Sequence, residues 1–291
     1  MRAITIENLT KYYGKNIGIE KVSLQVEQGE VYGFIGPNGA GKSTTIRALM
    51  GLLIPTSGKA KILGVDVFKD GAKIRQRVGY LPSEIDYYDK MTSLELLEYH
   101  CRFYGITDYS KIHELASIFE LDLEKEIEDL SFGNKKKCGI IQALVHEPEV
   151  LILDEPTSGL DPLMQNVFFD YLKKLNKEGI TIFFSSHVLS EIQRICQRAA
   201  IIRNGKIVEI ENIDTLLKKQ MKLVKVIFRV VPDHFELPEG AQKQSIVNNK
   251  LSFEYLGSMN ELVQWLSQYN IYDVTMTEPD LESLFMNYYE R

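Results

Sequence analysis

The stretch Gly36-Pro37-Asn38-Gly39-Ala40-Gly41-Lys42-Ser43-Thr44 constrains this chain more than any other. Before it runs Val31-Tyr32-Gly33-Phe34-Ile35, short and mostly apolar, which reads as a buried strand. After it runs Thr45-Ile46-Arg47-Ala48-Leu49-Met50, which reads as a helix. A strand, a glycine loop and a helix give G-x-x-x-x-G-K-S/T the context of a phosphate site. Gly36, Gly39 and Gly41 let the backbone turn tightly and aim its N–H groups at an anion. The helix N-terminus adds partial positive charge there. Lys42 has the reach for β- and γ-phosphates, and the Ser43 hydroxyl can ligate Mg²⁺.

Around this loop the pattern alternates between strand and helix. Residues 3–7 and 22–27 alternate with period two and read as half-exposed strands. Between them lie Tyr12 and Tyr13, either turn residues or aromatics that stack on a base. Ile54–Gly58 is a turn cluster, Lys59–Leu63 a strand, and Arg77–Leu81 a buried strand ended by Pro82. From about 85 to 145 the character is helical, with Thr92 and Glu95 placed as a capping box. Tyr87 and Tyr88 fall in a polar loop there, suited either to an interface or to packing in the helical part. Lys135-Lys136-Lys137 reads as a solvated helix face, with electrostatic assistance to a phosphate contact as the other reading.

Val150-Leu151-Ile152-Leu153-Asp154-Glu155 is an apolar run that ends in two acids, as a buried parallel strand does when its carboxyl end lines a site. A helix over 163–177 and a buried strand over Thr181–Ser185 follow, the strand running out at Ser186-His187. Asn204-Gly205 marks a tight hairpin. Past 215 the reading is a short linking helix (Leu216–Met221), about four strands, and helices over Met259–Tyr269 and Leu281–Tyr289, a small α+β unit.

Composition bears on the partners. A net charge of −6 gives nucleic-acid binding no support. Cys101, Cys138 and Cys196 have neither metal-ligand spacing nor a disulfide framework, which fits a reducing cytosol. The N-terminus lacks a signal-peptide core, and no apolar stretch approaches the ~18 residues of a membrane helix. The expectation is a soluble chain, held at any membrane by another protein.

Together these pieces resemble an ABC-transporter ATPase subunit over residues 1 to about 215. Gly36–Thr44 is similar to its Walker A loop and Leu151–Glu155 to its Walker B strand. Ser158-Gly159-Leu160-Asp161 is similar to its D-loop, and His187 to its switch histidine. The resemblance implies an α/β P-loop NTPase of the ABC type: a RecA-like core, an antiparallel β subdomain and a helical subdomain at about 85–145. Residues 216–291 would form a small accessory α+β domain. It implies ATP and Mg²⁺, with Asp154 holding the metal through water beside Ser43, Glu155 polarising the attacking water, and His187 contacting the γ-phosphate. A carboxylate beside the metal but not needed as its ligand is free to act as a base. Tyr13 takes the adenine-stacking position, with Tyr12 as the fallback. Asp161 lines a dimer seam.

Two motifs depart from the family. Leu130-Ser131-Phe132-Gly133-Asn134 resembles the signature loop, usually L-S-G-G-Q, with Phe132 and Asn134 substituted and Ser131 and Gly133 kept. Ser83 stands where the family has the Q-loop glutamine. Its hydroxyl can still bind Mg²⁺ or water with shorter reach, and Glu84 is the other candidate. Residues 216–291, with the tail Glu278–Phe285, resemble the C-terminal extension of bacterial exporter ATPases whose permease is a separate transmembrane chain. The implied protein is a head-to-tail homodimer or heterodimer on the cytoplasmic face of the membrane. Its Walker A loop and a partner's Ser131 would enclose each ATP. The alternatives are a soluble ABC ATPase of translation or repair, or a weakly catalytic regulatory subunit.

Overall fold

The computed structural model of the chain describes residues 1–85, 87, 90–213, 215, 222–230, 232 and 236–277, with backbone alone at 243 and 244. The readings at Tyr88, Leu216–Met221, Leu281–Tyr289 and Glu278–Phe285 lie outside the described residues. The chain divides into two compact units, Met1–Ile213 and Asp214–Arg291.

The first unit holds two sheets. Strands β1 (Arg2–Tyr13) and β2 (Asn16–Glu27) form a long antiparallel hairpin. They are joined on the β1 side by β4 (Ser57–Ile62) and β5 (Val65–Asp66), in the order β2-β1-β4-β5. The alternation legible in residues 3–7 and 22–27 turns Ile4, Ile6, Leu24 and Val26 into the core.

The larger sheet contains β3 (Val31–Ile35), β6 (Val78–Leu81), β7 (Val150–Asp154), β8 (Thr181–Ser186), β9 (Arg198–Arg203) and β10 (Lys206–Asn212). Its order is β10-β9-β3-β8-β7-β6, and all neighbours are parallel except β9 and β10. β3, β7 and β8 are buried at every position, as strands covered on both faces must be. Asn204 (φ 46) and Gly205 (φ 76) are both left-handed, the geometry of the two-residue turn between β9 and β10.

Helix α1 (Lys42–Leu49) leaves the glycine loop after β3, and α2 (Val67–Arg75) precedes β6. The helical part consists of α3 (Ser93–Arg102), α4 (Ser110–Phe119) and α5 (Phe132–Leu144). The Thr92 hydroxyl accepts from Glu95 N–H and Glu95 accepts from Thr92 N–H, the reciprocal cap expected there. Helices α6 (Pro162–Lys177) and α7 (Leu189–Ile195) flank β8 in sequence. No helix among the described residues is long and apolar enough to cross a membrane.

The second unit carries one antiparallel sheet of β11 (Lys222–Phe228), β12 (Ala241–Val247), β13 (Lys250–Tyr255) and β14 (Ile271–Thr277), in the order β12-β13-β11-β14. Helix α8 (Met259–Leu266) contributes Leu262 and Trp265 to its core, where Trp265 meets Phe253 edge-on at 5.7 Å. The indole N–H is satisfied by the Glu236 carbonyl at 2.7 Å.

A cleft of about 450 Å³ in the first unit is lined by Tyr80, Tyr104 and two histidines, among others. His146 stacks on Tyr104 at 4.1 Å, and Gln142 bonds His100 Nδ1 at 3.1 Å. Burial, reinforced by His146, pushes His100 down to about 4, and burial lowers His146 as well. The folded chain therefore binds fewer protons here than the unfolded chain, whose histidines titrate near ~6.5. This stability is present above pH ~6.5 and is lost as pH falls toward 4, to a ceiling of about 3 kcal/mol for His100 at ~1.4 kcal/mol per pH unit. Urea midpoints at pH 7.5 and 5 should differ less for His100→Gln than for the wild type. An equal difference would show that His100 does not govern this acid sensitivity.

Candidate functional site

The site is built by the parallel register. Ile35 pairs with Ser186, Asp154 with Ser185, and Leu81 with Leu153. The carboxyl ends of β3, β8, β7 and β6 thus share one edge, where ligands collect in open parallel sheets. The glycine loop, Glu155, His187 and the Pro82–Ser83 turn all begin there.

In the loop, Gly36 lies so close to the Ile202 carbonyl that no Cβ fits. Gly41 stands at φ 108 and caps α1, with its missing Cβ facing Ile19 and the Gly18 carbonyl. Lys42, the first residue of α1, is 6% exposed. Its Nζ donates to the carbonyls of Gly36 (2.6 Å) and Pro37 (3.2 Å) and pairs with Glu155 Oε1 at 3.1 Å. The Thr45 hydroxyl donates to the Gly41 carbonyl at 2.9 Å, bracing the first turn.

Asp154 closes β7 and is 1% exposed; its Oδ1 accepts from the Ser185 hydroxyl at 2.7 Å. Glu155 follows at φ 50, a conformation few side-chain-bearing residues adopt. Its N–H is held by the Ser185 carbonyl and hydroxyl, at 3.2 and 3.3 Å. The Glu155 carboxylate spans two partners, Lys42 on one oxygen and His187 Nδ1 on the other at 2.8 Å. The predicted Lys42, Asp154, Glu155 and His187 therefore form one continuous cluster at the mouth of the loop.

The Tyr13 ring lies against Gly18, whose carbonyl in turn abuts Gly41, so Tyr13 stands half-exposed at the flank of the loop. Tyr12 is turned elsewhere, its hydroxyl donating to Glu20 at 3.1 Å. Ser131 caps α5, its hydroxyl accepting from Asn134 N–H. Gly133 packs against the Gly159 carbonyl. Asp161 caps α6, one oxygen accepting from Leu163 and Met164 N–H. Among the described residues no hydrogen bond or ion pair joins Ser131, Gly133 or Asp161 to Gly36–Thr44. Tyr87 packs into the helical part, with its hydroxyl on the Lys135 carbonyl at 3.3 Å.

The lysine run is not a solvated face. Lys136 is 2% exposed and reaches the carbonyls of Ser83 and Pro82, while Lys137 is buried and donates to the Glu120 carbonyl at the end of α4. Consecutive helical residues point about 100° apart, so a run of like residues cannot share one environment. Glu191 of α7 is a further support that the sequence reading missed, accepting from Ser186 (2.5 Å) and Thr157 (2.7 Å) hydroxyls. The pair Ser185-Ser186, directly before His187 at a strand end, was the available signal.

A family model described as ABC transporter matches residues 19–158. The bacitracin transport ATP-binding protein BcrA of Bacillus licheniformis is 36% identical over 295 residues, 97% of this chain and 96% of that protein. The chain belongs to the ABC transporter ATP-binding family. The linearmycin resistance ATP-binding protein LnrL of Bacillus subtilis is 37% identical over 209 residues, 70% of this chain and 67% of that protein. A solved ATP-binding subunit of an ABC transporter superposes with a TM-score of 0.69 at 30% identity, over 74% of this chain and 91% of that one. A dimeric bacterial ABC transporter cassette gives 0.68 at 26%, over 72% and 98%. This ABC subunit is an ATPase, with the α/β cassette fold that the sequence predicts.

The geometry of this ATPase gives one direct test. Ser185→Ala removes the hydroxyl bonded to a buried carboxylate oxygen, and that oxygen gains no new donor. Urea denaturation should show a loss of about 1–3 kcal/mol. No loss would mean that Asp154 is solvated in solution.

Proposed function

We propose that this chain powers export of an antibiotic-like compound through a separate transmembrane permease, by closing as a head-to-tail dimer on ATP and opening after hydrolysis. The unit Met1–Ile213 is the ATPase cassette in this reading, and residues 214–291 an accessory domain. The observation that carries it is the Lys42–Glu155–His187 cluster, in which a phosphate-site cation, a carboxylate and an imidazole meet at one loop. The names of the two Bacillus relatives, bacitracin transport and linearmycin resistance, support the export of such a compound. The dimeric cassette relative supports pairing of two copies.

In this scheme Gly36–Thr44 wraps the phosphates with backbone N–H groups, and Lys42 leaves Glu155 for the β- and γ-phosphates. Asp154 and Ser43 fit a magnesium ion, which favours one or two carboxylates with substrate phosphates. The test of fit is Asp154 itself, a buried carboxylate whose Oδ1 has, among the described residues, only the Ser185 hydroxyl. When bound, that ion neutralises charge on the phosphates. Ser83 is a further candidate, at the start of the turn after β6. Glu155, freed from Lys42, orients the attacking water and takes its proton. His187 contacts the γ-phosphate, and Tyr13 stacks on the base. Ser131 and Gly133, which no bond links to the loop within one chain, serve the nucleotide of the partner copy, with Asp161 at the seam. The cleft beside Tyr80 and Tyr104 receives a permease segment, which places the chain at the cytoplasmic face of the membrane.

Glu155→Gln is the decisive variant. It should bind ATP yet turn it over about 10²–10⁴-fold more slowly, and accumulate as an ATP-bound dimer on gel filtration with MgATP. Near-normal turnover would remove Glu155 from the chemistry. Lys42→Ala should lose most of its ATP affinity in a calorimetric titration, because it deletes the one cation seated in the loop. Unchanged affinity would place the phosphates elsewhere. Co-purification of the chain with a six-helix membrane protein encoded beside it tests the permease.

A further inference from the structure

Lys136 is a buried cation that the scheme above leaves idle. It sits on the second turn of α5 with 2% of its surface exposed. No carboxylate lies within ion-pair distance of its Nζ among the described residues. Instead Nζ donates to two consecutive carbonyls, Ser83 at 2.8 Å and Pro82 at 3.3 Å. A long flexible side chain loses ~2 kcal/mol of rotamer entropy when fixed, and an ammonium loses its hydration when buried. Two carbonyl bonds at one turn are the compensation this chain supplies.

The turn it holds is the one that opens toward the ATPase site. Leu81 ends β6 beside Leu153 of β7, one residue before Asp154. Pro82 and Ser83 therefore leave the sheet next to the strand end that carries Asp154 and Glu155. Burial pushes the Lys136 ammonium toward its neutral form, and the charges of Asp154, Glu155 and Glu84 oppose that. Lys136 thus stands in the field of both site carboxylates without being bonded to either. Its neighbours on the helix differ: the Lys137 ammonium caps α4 at the Glu120 carbonyl, and Lys135 is half-buried, its carbonyl taking the Tyr87 hydroxyl.

We propose that Lys136 is a positioning residue for ATP hydrolysis, its ammonium fixing the Pro82–Ser83 turn in register with Asp154 and Glu155 and tying that turn to the helix capped by Ser131. The inference rests on the ATPase-site reading above. One consequence is mechanical. Ser131, which faces a partner's nucleotide in that reading, and Ser83, beside the chain's own, are ends of one connected piece: cap, helix, lysine, turn. A second is electrostatic. A positive charge near Asp154 and Glu155 offsets repulsion between the two carboxylates.

The test uses the full chain with MgATP and Lys136→Met, Lys136→Gln and Lys136→Arg. ATP-binding sites are counted by calorimetry, and turnover is expressed per site. For Lys136→Met, kcat per site should fall about tenfold or more, because small displacements of positioning groups cost rate. The ATP dissociation constant should move by less than about threefold. Backbone hydrogen exchange at Ser83, Glu84 and Ile85 should quicken. Lys136→Arg, which keeps charge and donors, should recover much of the rate. A Lys136→Met protein with wild-type kcat per site overturns the inference even if its Tm falls, since the tether would then be structural only. If that variant does not fold, Lys136→Gln decides, its shorter side chain ending before the two carbonyls. A fallen kcat per site with ATP affinity kept supports the role, and an unchanged kcat refutes it. A wild-type turnover that Glu155→Gln leaves untouched refutes the site reading itself and takes this inference with it.

Discussion

The ion pair between buried Lys42 and partly buried Glu155 ties this structure together. It joins the first residue of α1 to the residue just past β7, two segments more than a hundred positions apart. Breaking a fully buried pair by removing one partner strands an uncompensated charge at about 3–5 kcal/mol, an upper bound for this partly exposed pair. Here the cation has insurance in two loop carbonyls, and the carboxylate has His187. The folded chain therefore holds the loop's Lys42 already neutralised. In the proposed function a triphosphate, with more negative charge than one carboxylate, would displace Glu155 from Lys42 and so free it to act as a base. On that reading, binding and activation would be one exchange of partners.

That exchange is possible only because the sheet delivers its parts to one edge. The register of β3, β8 and β7 is set by continuous apolar runs buried on both faces, so a slip of any strand would drag a site residue into the core. The aromatic contacts among Tyr32, Phe34 and Phe183 lock the β3–β8 pair from one side. The unusual φ of Glu155 follows from the same register. The chain must turn sharply as β7 ends, and Ser185 on the neighbouring strand grips the Glu155 N–H through two oxygens. Local strain at Glu155 is thus sustained by β8 packing.

What could be read in advance divides along physical lines. The glycine loop, the acid pair at the end of β7 and the histidine after β8 were legible because each is a short-range pattern with a mechanism attached. The Asn204-Gly205 turn and the Thr92 cap were legible for the same reason, since backbone geometry dictates residue type there. Helices α2 and α7 were not, being short segments without a clean apolar stripe. Lys136 and Lys137 were misread because a run of lysines looks solvated in one dimension. Their burial depends on which acceptors the turn after β6 and the end of α4 expose, a three-dimensional fact. Glu191 was invisible for the same reason, its partners lying on a strand end and a loop that the sheet brings together.

The substituted signature segment can be understood from packing. Phe132 occupies a position where the family has glycine, and its ring lies directly over Gly159. Gly159 stands at φ 82 and has no Cβ, and the ring fills the space a side chain would need. One residue on, Gly133 rests on the Gly159 carbonyl so closely that it must itself lack a Cβ. Ring, glycine and glycine interlock, so the start of α5 is packed directly onto the 158–161 segment. Phe132 is nevertheless 58% exposed, leaving one face of the ring toward solvent beside Ser131. In a head-to-tail dimer that face would border the partner's nucleotide, so the substitution adds an apolar surface where a glycine offers only backbone. The Ser131 hydroxyl and the α5 N-terminus stay in place, because the cap geometry depends on Ser131 and Asn134 N–H and not on the ring. The departure from the family pattern therefore changes the apolar surface beside Ser131 while leaving its cap on α5 intact.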